Sequence, residues 1–402
     1  MKIFEIGTGY TSIPARMGAA TEIVVEELTR SMMKQNIDVT IVDIKDTNRK
    51  KTDLHIEEVY MPQFFNGTDI KLGLVHKLKR VLYSISLTYK LHKLIRKQKE
   101  KVALHFHNQY NLFFFLKLTP EYLRKKVIIG YTVHSHVWFD KWENIEHTIR
   151  KRYFQEVYSC QHADKVFVLN DIVTDLLIEK CNVKRDNVIK VINGVNVDRY
   201  NESSAKPEDI NAICKKYNIK GKKVMFQVGS VCERKNQLGT LELLIPFMQK
   251  DENLVMAYAG GIIDGMYAES ICKRAEEAGL KDRVLYMGEV SPGYELNLLY
   301  TIAYATFMNS RSEAFALVMA ESLSASRPIF INKSIMSSLS FLNGKEDKGI
   351  LKIKDTFKDD FIRLLSDKFY YEEMQKRGRD FIVNEYSWDI AAKKYVEEFS
   401  DN

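Results

Sequence analysis

The chain has 402 residues, too many for one ordinary core and about right for two average domains. Its 45% hydrophobic and 28% charged residues, with only 7 prolines, exclude a disordered or linker-rich chain. The net charge of +7 is uneven: Lys71 to Lys101 carries ten basic residues against one acid, Glu100, so the remainder is close to neutral.

Met1–Gly7 lacks the basic start of a signal peptide and reads as a first strand. No run reaches the roughly eighteen apolar residues needed to cross a bilayer. The cysteines, Cys160, Cys181, Cys214, Cys232 and Cys272, are scattered and show no C-x-x-C spacing. That argues against a disulfide framework or a cysteine zinc site, and for a reducing, cytoplasmic setting.

In chain order, strands are predicted at 2–7, 38–44, 56–61, 102–107, 126–134, 165–170 and 188–193, then at 223–229, 254–260, 284–288, 305–309, 328–332 and 349–353. Many are continuous β-branched or aromatic runs, the pattern of strands covered on both faces in parallel sheets. Amphipathic segments lie between them. In Thr21–Gln35, Val24, Val25, Leu28 and Met32 fall at helical spacing behind Thr21 as a candidate cap. Two successive βαβα series imply an α/β chain of two doubly wound domains, joined near the polar stretch 198–222. In such sheets ligands bind where strands end and loops lead into helices.

Three of those loops carry chemistry. After the strand ending at Asn309 comes Glu313, then a helix start near Phe315–Leu317, then Glu321. Free amides at a helix start can hold a diphosphate. Glu313 can accept hydrogen bonds from sugar hydroxyls and Glu321 from a ribose diol. On its own this pattern is equally a capped helix with two solvated acids. After the strand ending at Gly229 come Arg234 and Lys235, which can neutralise a leaving diphosphate without a metal, or form an ordinary basic surface turn. After the first strand, Gly18 would let backbone approach a phosphate closely. Gly7-Thr8-Gly9 lacks the remaining glycines of a dinucleotide fingerprint, so no NAD site is assigned.

The chain resembles the retaining GT-B glycosyltransferases of family 4 along essentially its whole length. The matching pieces are the glycine loop after strand one, Tyr131-Thr-Val-His134, Val191–Asp198, the Gly229–Lys235 loop, Glu313 with Glu321, and Tyr386-Ser-Trp388 before a last helix. The resemblance implies two Rossmann-like domains facing across a cleft: 1–197 for the acceptor, 198–387 for the nucleotide sugar, and a C-terminal helix, 388–402, returning to the first. It implies Glu313 on the donor hexose, the amides of Phe315, Ala316, Leu317 and Val318 on sugar and phosphate oxygens, and Glu321 on ribose. Lys235 would stabilise the β-phosphate, His134 would lie beside the transferred sugar, and Gly18 would border the diphosphate. Gly288-Glu289-Val290 would face the base. Together these make a hexosyltransferase that needs no metal or other cofactor, with a nucleotide sugar as donor and a glycan, glycolipid or other hydroxyl as acceptor. There are departures: Ser230 stands where the family often has Arg, with Arg234 as a candidate replacement. Ala314 and Ala316 stand for its usual Pro and Gly.

His105-x-His107 and His134-x-His136 lie at neighbouring strand ends, where a metal cluster is conceivable, but no carboxylate near them in sequence stands out as a partner, and a cleft-lining role is preferred for His134. In 71–101, Leu74, Leu78, Leu82, Ile85, Leu87, Leu91, Leu94 and Ile95 suggest a helix packed on the sheet with a basic rim that can meet anionic lipid at the inner membrane face. No nucleic-acid motif is present. Two other functions fit the same architecture: a nucleotide-sugar 2-epimerase and a non-catalytic glycan-assembly partner.

Overall fold

A computed structural model of the chain describes residues 1–15, 20–61, 74–134, 153–313, 317–338, 342 and 344–400; side chains at 74–76 and 337–338 are not described. The chain forms two compact units, Met1–Asn193 with Trp388–Asn402, and Gly194–Ser387.

In the first unit the strands are β1 (Ile3–Ile6), β2 (Val39–Ile44), β3 (Ile56–Val59), β4 (Val102–Phe106), β5 (Val127–Thr132), β6 (Lys165–Val168) and β7 (Val188–Lys190). They form one parallel sheet in the order β3-β2-β1-β4-β5-β6-β7. The helices are α1 (Ala20–Lys34), α2 (Leu74–Lys97), α3 (Gln109–Leu118), α4 (Glu121–Arg124), α5 (Phe154–His162) and α6 (Asp171–Glu179). β1, β2, β4 and β5 are buried throughout, which is why their sequences are mostly apolar without regular alternation. Val24, Val25, Leu28 and Met32 of α1 are buried as their spacing predicts. Thr21 lies inside α1, so it is not the cap. Asn108 and Asn170 cap α3 and α6 by accepting from backbone amides two or three residues on.

The second unit holds β8 (Lys223–Val228), β9 (Leu254–Ala259), β10 (Val284–Tyr286), β11 (Ala303–Met308), β12 (Ile329–Asn332) and β13 (Ile350–Ile353). Their order is β10-β9-β8-β11-β12-β13, again all parallel. Its helices are α7 (Pro207–Lys216), α8 (Gln237–Met248), α9 (Gly265–Glu277), α10 (Tyr294–Ile302), α11 (Leu317–Ser324), α12 (Lys333–Ser338), α13 (Phe357–Ser366) and α14 (Lys368–Glu385). The polar stretch 198–222 thus contains a helix, α7, with Pro207 in its first turn.

The last helix, α15 (Trp388–Ser400), belongs to the first unit. Trp388, Ala391, Ala392, Tyr395 and Phe399 share a core with Ile3, Val24, Leu28, Ala103, Ile128 and Phe167. Gly130 of β5 makes the room: a Cβ there would stand 2.5 Å from the Phe399 ring.

The basic helix α2 departs from its reading. Leu87, Leu91, Leu94 and Ile95 are buried as expected, together with Tyr83, Ser84 and Thr88. Leu78 and Ile85 are not on that face; they are 53% and 43% exposed, in a stripe with Val81 at 36% and Tyr89 at 60%. α2 is apolar on two faces, and the spacing of its apolar residues alone does not distinguish the face that meets the core from the one that does not.

Candidate active site

In the second unit the strand order reverses between β8 and β11, the place where doubly wound sheets bind ligands. The loops leaving these two strands meet there. The β8 loop turns at Gly229, whose φ of +142° suits glycine. A Cβ at Gly229 would press within 3.3 Å of the Lys235 stem, so the glycine also gives that side chain its path. Asn236, in the left-handed region at φ +57°, turns the chain into α8. The Gln227 side chain donates to the Lys235 carbonyl at 2.7 Å and holds the end of the loop. Across the switch point, the Arg311 amide donates to the Arg234 carbonyl at 2.8 Å, and the Arg234 guanidinium donates to the Ser312 carbonyl at 3.0 Å.

These backbone ties bring three of the predicted side chains together. Lys235 Nζ lies 2.5 Å from Glu313 Oε1, with side chains only 14% and 12% exposed. Arg234 Nη1 lies 3.8 Å from Glu313 Oε2. One carboxylate therefore gathers two cations at the end of the central strands, in a partly desolvated setting where charge pairs act strongly. Leu317 and Val318 open α11 directly after this loop. Phe315 and Ala316, and Gly18 in the first unit, lie outside the described residues.

Glu321 stands one turn into α11 and is not part of that cluster; its Oε2 accepts from the Tyr300 hydroxyl at 2.8 Å. Burial pushes its carboxyl up to about 7, against the opposing hydrogen bonds of Tyr300 and Tyr200 and the charge of Arg199. Val290 is partly buried just past β10. Between it and Lys235 the sheet edge is stitched by glycine backbone. The Gly229 amide donates to the Ala259 carbonyl and the Gly260 amide to the Gly288 carbonyl, each at 2.9 Å. A Cβ on Gly260, where φ is +143°, would stand 2.2 Å from the Gly229 carbonyl oxygen.

In the first unit, His134 follows β5 and its Nε2 lies 2.9 Å from His107 Nδ1. His107 Nε2 is 2.7 Å from Glu5 Oε2, and His105 Nδ1 is 3.0 Å from Glu5 Oε1. Glu5 is the carboxylate that sequence reasoning missed. It lies a hundred residues from His105 in the chain, and parallel pairing of β1 with β4 puts the two in register. The available signal was an acid inside the apolar strand Ile3-Phe-Glu-Ile6, since an acid at a fully buried strand position needs a partner. His136 lies outside the described residues.

The family model described as glycosyl transferases group 1 matches residues 209–381, and that of glycosyltransferase family 4 matches residues 21–199. An uncharacterized glycosyltransferase of Methanocaldococcus jannaschii is 24% identical over 301 residues, covering 66% of this chain and 74% of its own. Among solved structures, Anabaena HepE in complex with UDP and glucose superposes with a TM-score of 0.73 at 13% identity, covering all of both chains. The catalytic domain of Arabidopsis thaliana starch synthase IV, bound to ADP and acarbose, superposes at 0.74 with 11% identity, over 99% of this chain and 98% of that one.

Proposed function

Because the chain belongs to the family 4 glycosyltransferases of the GT-B fold, we propose that it moves a hexose or N-acetylhexosamine from a UDP-sugar to an acceptor hydroxyl, retaining anomeric configuration. The observation that carries the reading is the Lys235–Glu313–Arg234 cluster at the β8–β11 switch point. Departure of a nucleoside diphosphate builds negative charge on phosphate oxygens. Two fixed cations and the amides opening α11 supply the complementary charge without reorganising. The diphosphate competes with Glu313 for Lys235 and frees the carboxylate to accept from sugar hydroxyls. Glu321 takes the ribose diol. The bond from the anomeric carbon to the β-phosphate oxygen breaks as the bond to the acceptor oxygen forms on the same face. The acceptor proton passes to a phosphate oxygen, so no carboxylate base is required.

UDP is favoured by the uridine nucleotide in the Anabaena HepE complex, and ADP is the competing choice from starch synthase IV. A panel of UDP-, ADP- and GDP-sugars, scored by thermal shift and then by donor hydrolysis, separates these. Failure of every sugar nucleotide to bind would remove the reading. Release of an epimerised free sugar with no transfer would favour the 2-epimerase.

The acceptor is proposed to be a glycan or glycolipid of surface polysaccharide assembly, reached at the inner membrane face. The exposed stripe Leu78, Val81, Ile85 and Tyr89 supports this, with Lys77, Lys93, Arg96 and Lys97 exposed beside it. Apolar side chains enter the lipid interface while the cations meet anionic headgroups. Among the described residues no helix is long and apolar enough to cross a membrane. Sedimentation with phosphatidylglycerol vesicles, but not with phosphatidylcholine vesicles, is expected, and Ile85→Glu should abolish it. Equal binding of the variant would sink the membrane reading and leave the transferase intact.

A further inference from the structure

The polar row Glu5, His105, His107, Thr132 and His134 runs up the face of the first unit's sheet that α15 covers. Glu5 and His105 are paired in register, and both are fully buried. Tyr395, Phe167 and Phe399 pack their rings around His105 at centroid distances of 4.8, 5.4 and 5.6 Å. Buried polar groups in such a place must satisfy one another, and the number of hydrogens each carries then sets the direction of every bond.

An ionised carboxylate only accepts. Both nitrogens facing Glu5, His105 Nδ1 and His107 Nε2, therefore carry hydrogen. A neutral imidazole has a single N–H, so His107 Nδ1 is bare. The 2.9 Å contact to His134 can then be made only by His134 Nε2 donating. With its one hydrogen so committed, neutral His134 has a bare Nδ1. The charge states agree with this. Burial would raise the Glu5 carboxyl, but its two histidine partners hold it at about 2. Burial, aided by the neighbouring His105, lowers His107 to about 4. Burial and the neighbouring His107 and His105 keep His134 well below the usual imidazole range. At neutral pH the arm is a carboxylate followed by two neutral rings. On the other side, His105 Nε2 meets the Thr132 hydroxyl at 2.7 Å, and Thr132 meets the Tyr395 hydroxyl at 3.2 Å.

We propose that Glu5 and His107 are positioning residues that lock His134 as its Nε2–H tautomer, so that it offers a bare Nδ1 acceptor to a substrate hydroxyl. The identity of that hydroxyl rests on the transferase reading; the tautomer does not. A divalent cation is the rival occupant, because ligand atoms of Glu5, His105 and His107 lie within 4.8 Å of one another. The geometry favours the protons: each Glu5 oxygen already takes one ring nitrogen at hydrogen-bond distance, and a metal would displace both bonds.

The test is long-range proton–nitrogen NMR of the full chain labelled with nitrogen-15 histidine at pH 7, with His134 assigned by loss of its signals in His134→Gln. A single Nε2–H tautomer with slow proton exchange is expected in the wild type and fast exchange in His107→Phe. His107→Gln restores the polarity, since its amide donates to Glu5 and its carbonyl accepts from His134. Turnover of UDP-glucose, or of whichever panel donor is hydrolysed, is expected to fall in His107→Phe on the order of tenfold to a hundredfold in kcat. Donor KM should stay within about twofold, and His107→Gln should recover most of the rate. A wild-type His134 protonated on Nδ1 overturns the proposal, as does equal impairment of the Phe and Gln variants. Stoichiometric zinc that survives dialysis and is lost in Glu5→Ala would assign the cluster to a metal instead. If no sugar nucleotide is turned over, the transferase reading fails while the wild-type spectrum still decides the tautomer.

Discussion

Under the proposed function, the Lys235–Glu313 ion pair is what the donor diphosphate opens. Each is largely buried, so removing Glu313 strips Lys235 of its carboxylate partner, while removing Lys235 leaves Glu313 with only the longer Arg234 contact. Lys235→Ala is expected to lower kcat/KM for the donor by about 10²–10³-fold, the usual effect of deleting one preorganised donor at a developing oxyanion. Steady-state kinetics on whichever donor binds would check this; unchanged turnover would remove Lys235 from the phosphate site. Glu321 carries a pH signature. Its folded pKa of about 7 lies above the ordinary carboxyl value of 4.5, so the folded state holds its proton more tightly than the unfolded state. Its contribution to stability is complete below about pH 4.5 and is lost as pH rises through 7. Glu321→Gln should therefore gain Tm relative to wild type between pH 5 and pH 8 while binding donor more weakly. Glu156, pushed by burial to about 7 in the first unit, titrates in the same window, so the comparison is between variant and wild type at each pH. A Tm difference independent of pH would contradict the assigned shift.

At the scale of elements, α15 and the glycine row of β8–β10 make the sharpest claims. Phe399 fills the space that Gly130 leaves open, and Phe399→Ala should cost about 3–5 kcal/mol as a buried aromatic truncation. Chemical denaturation would register that loss, and a change below about 1 kcal/mol would show that α15 does not seal this core. Gly260→Ala sets a methyl group against the Gly229 carbonyl at a backbone angle that disfavours side chains. Donor affinity should fall in this variant even though no ligand-binding side chain is altered; wild-type affinity would show that the β8 loop tolerates the shift. The strands were the most legible elements. All thirteen appear where they are predicted; the inner ones are the plainest, because a strand buried on both faces writes its burial into consecutive residues, whereas β3, β7 and β10 are partly exposed. Strand ends were less legible. β5 stops at Thr132 rather than His134, since the hydrogen-bond ladder ends before the apolar run does. The outer face of α2 was misread because helical phase depends on which neighbour the helix meets.

At the scale of the whole molecule, two parallel sheets each have their own core, and α15 adds chain-terminal residues to the first. Ending the chain before Trp388 would strip Trp388, Tyr395 and Phe399 from that first core. Hydrogen exchange should then rise in β1, β4 and β5 while β8, β9 and β11 keep wild-type protection. Equal loosening of both units would mean that they unfold as one.

The sequence by itself determined the α/β class, the positions of the strands and the family, and it singled out Lys235, Arg234 and Glu313. Each of these is a local matter of apolar runs, strand-end loops and short motifs, recorded within a few neighbouring residues. Tertiary structure alone decided that Lys235 and Glu313 form a pair, that Glu5 stands between His105 and His107, and that Leu78 and Ile85 face outward. The first two depend on which strands become neighbours in a sheet, and the third on which face of α2 meets the core. Parallel pairing brings together residues a hundred positions apart: an acid in a buried strand signals that a partner is needed, but the local sequence does not say which residue supplies it.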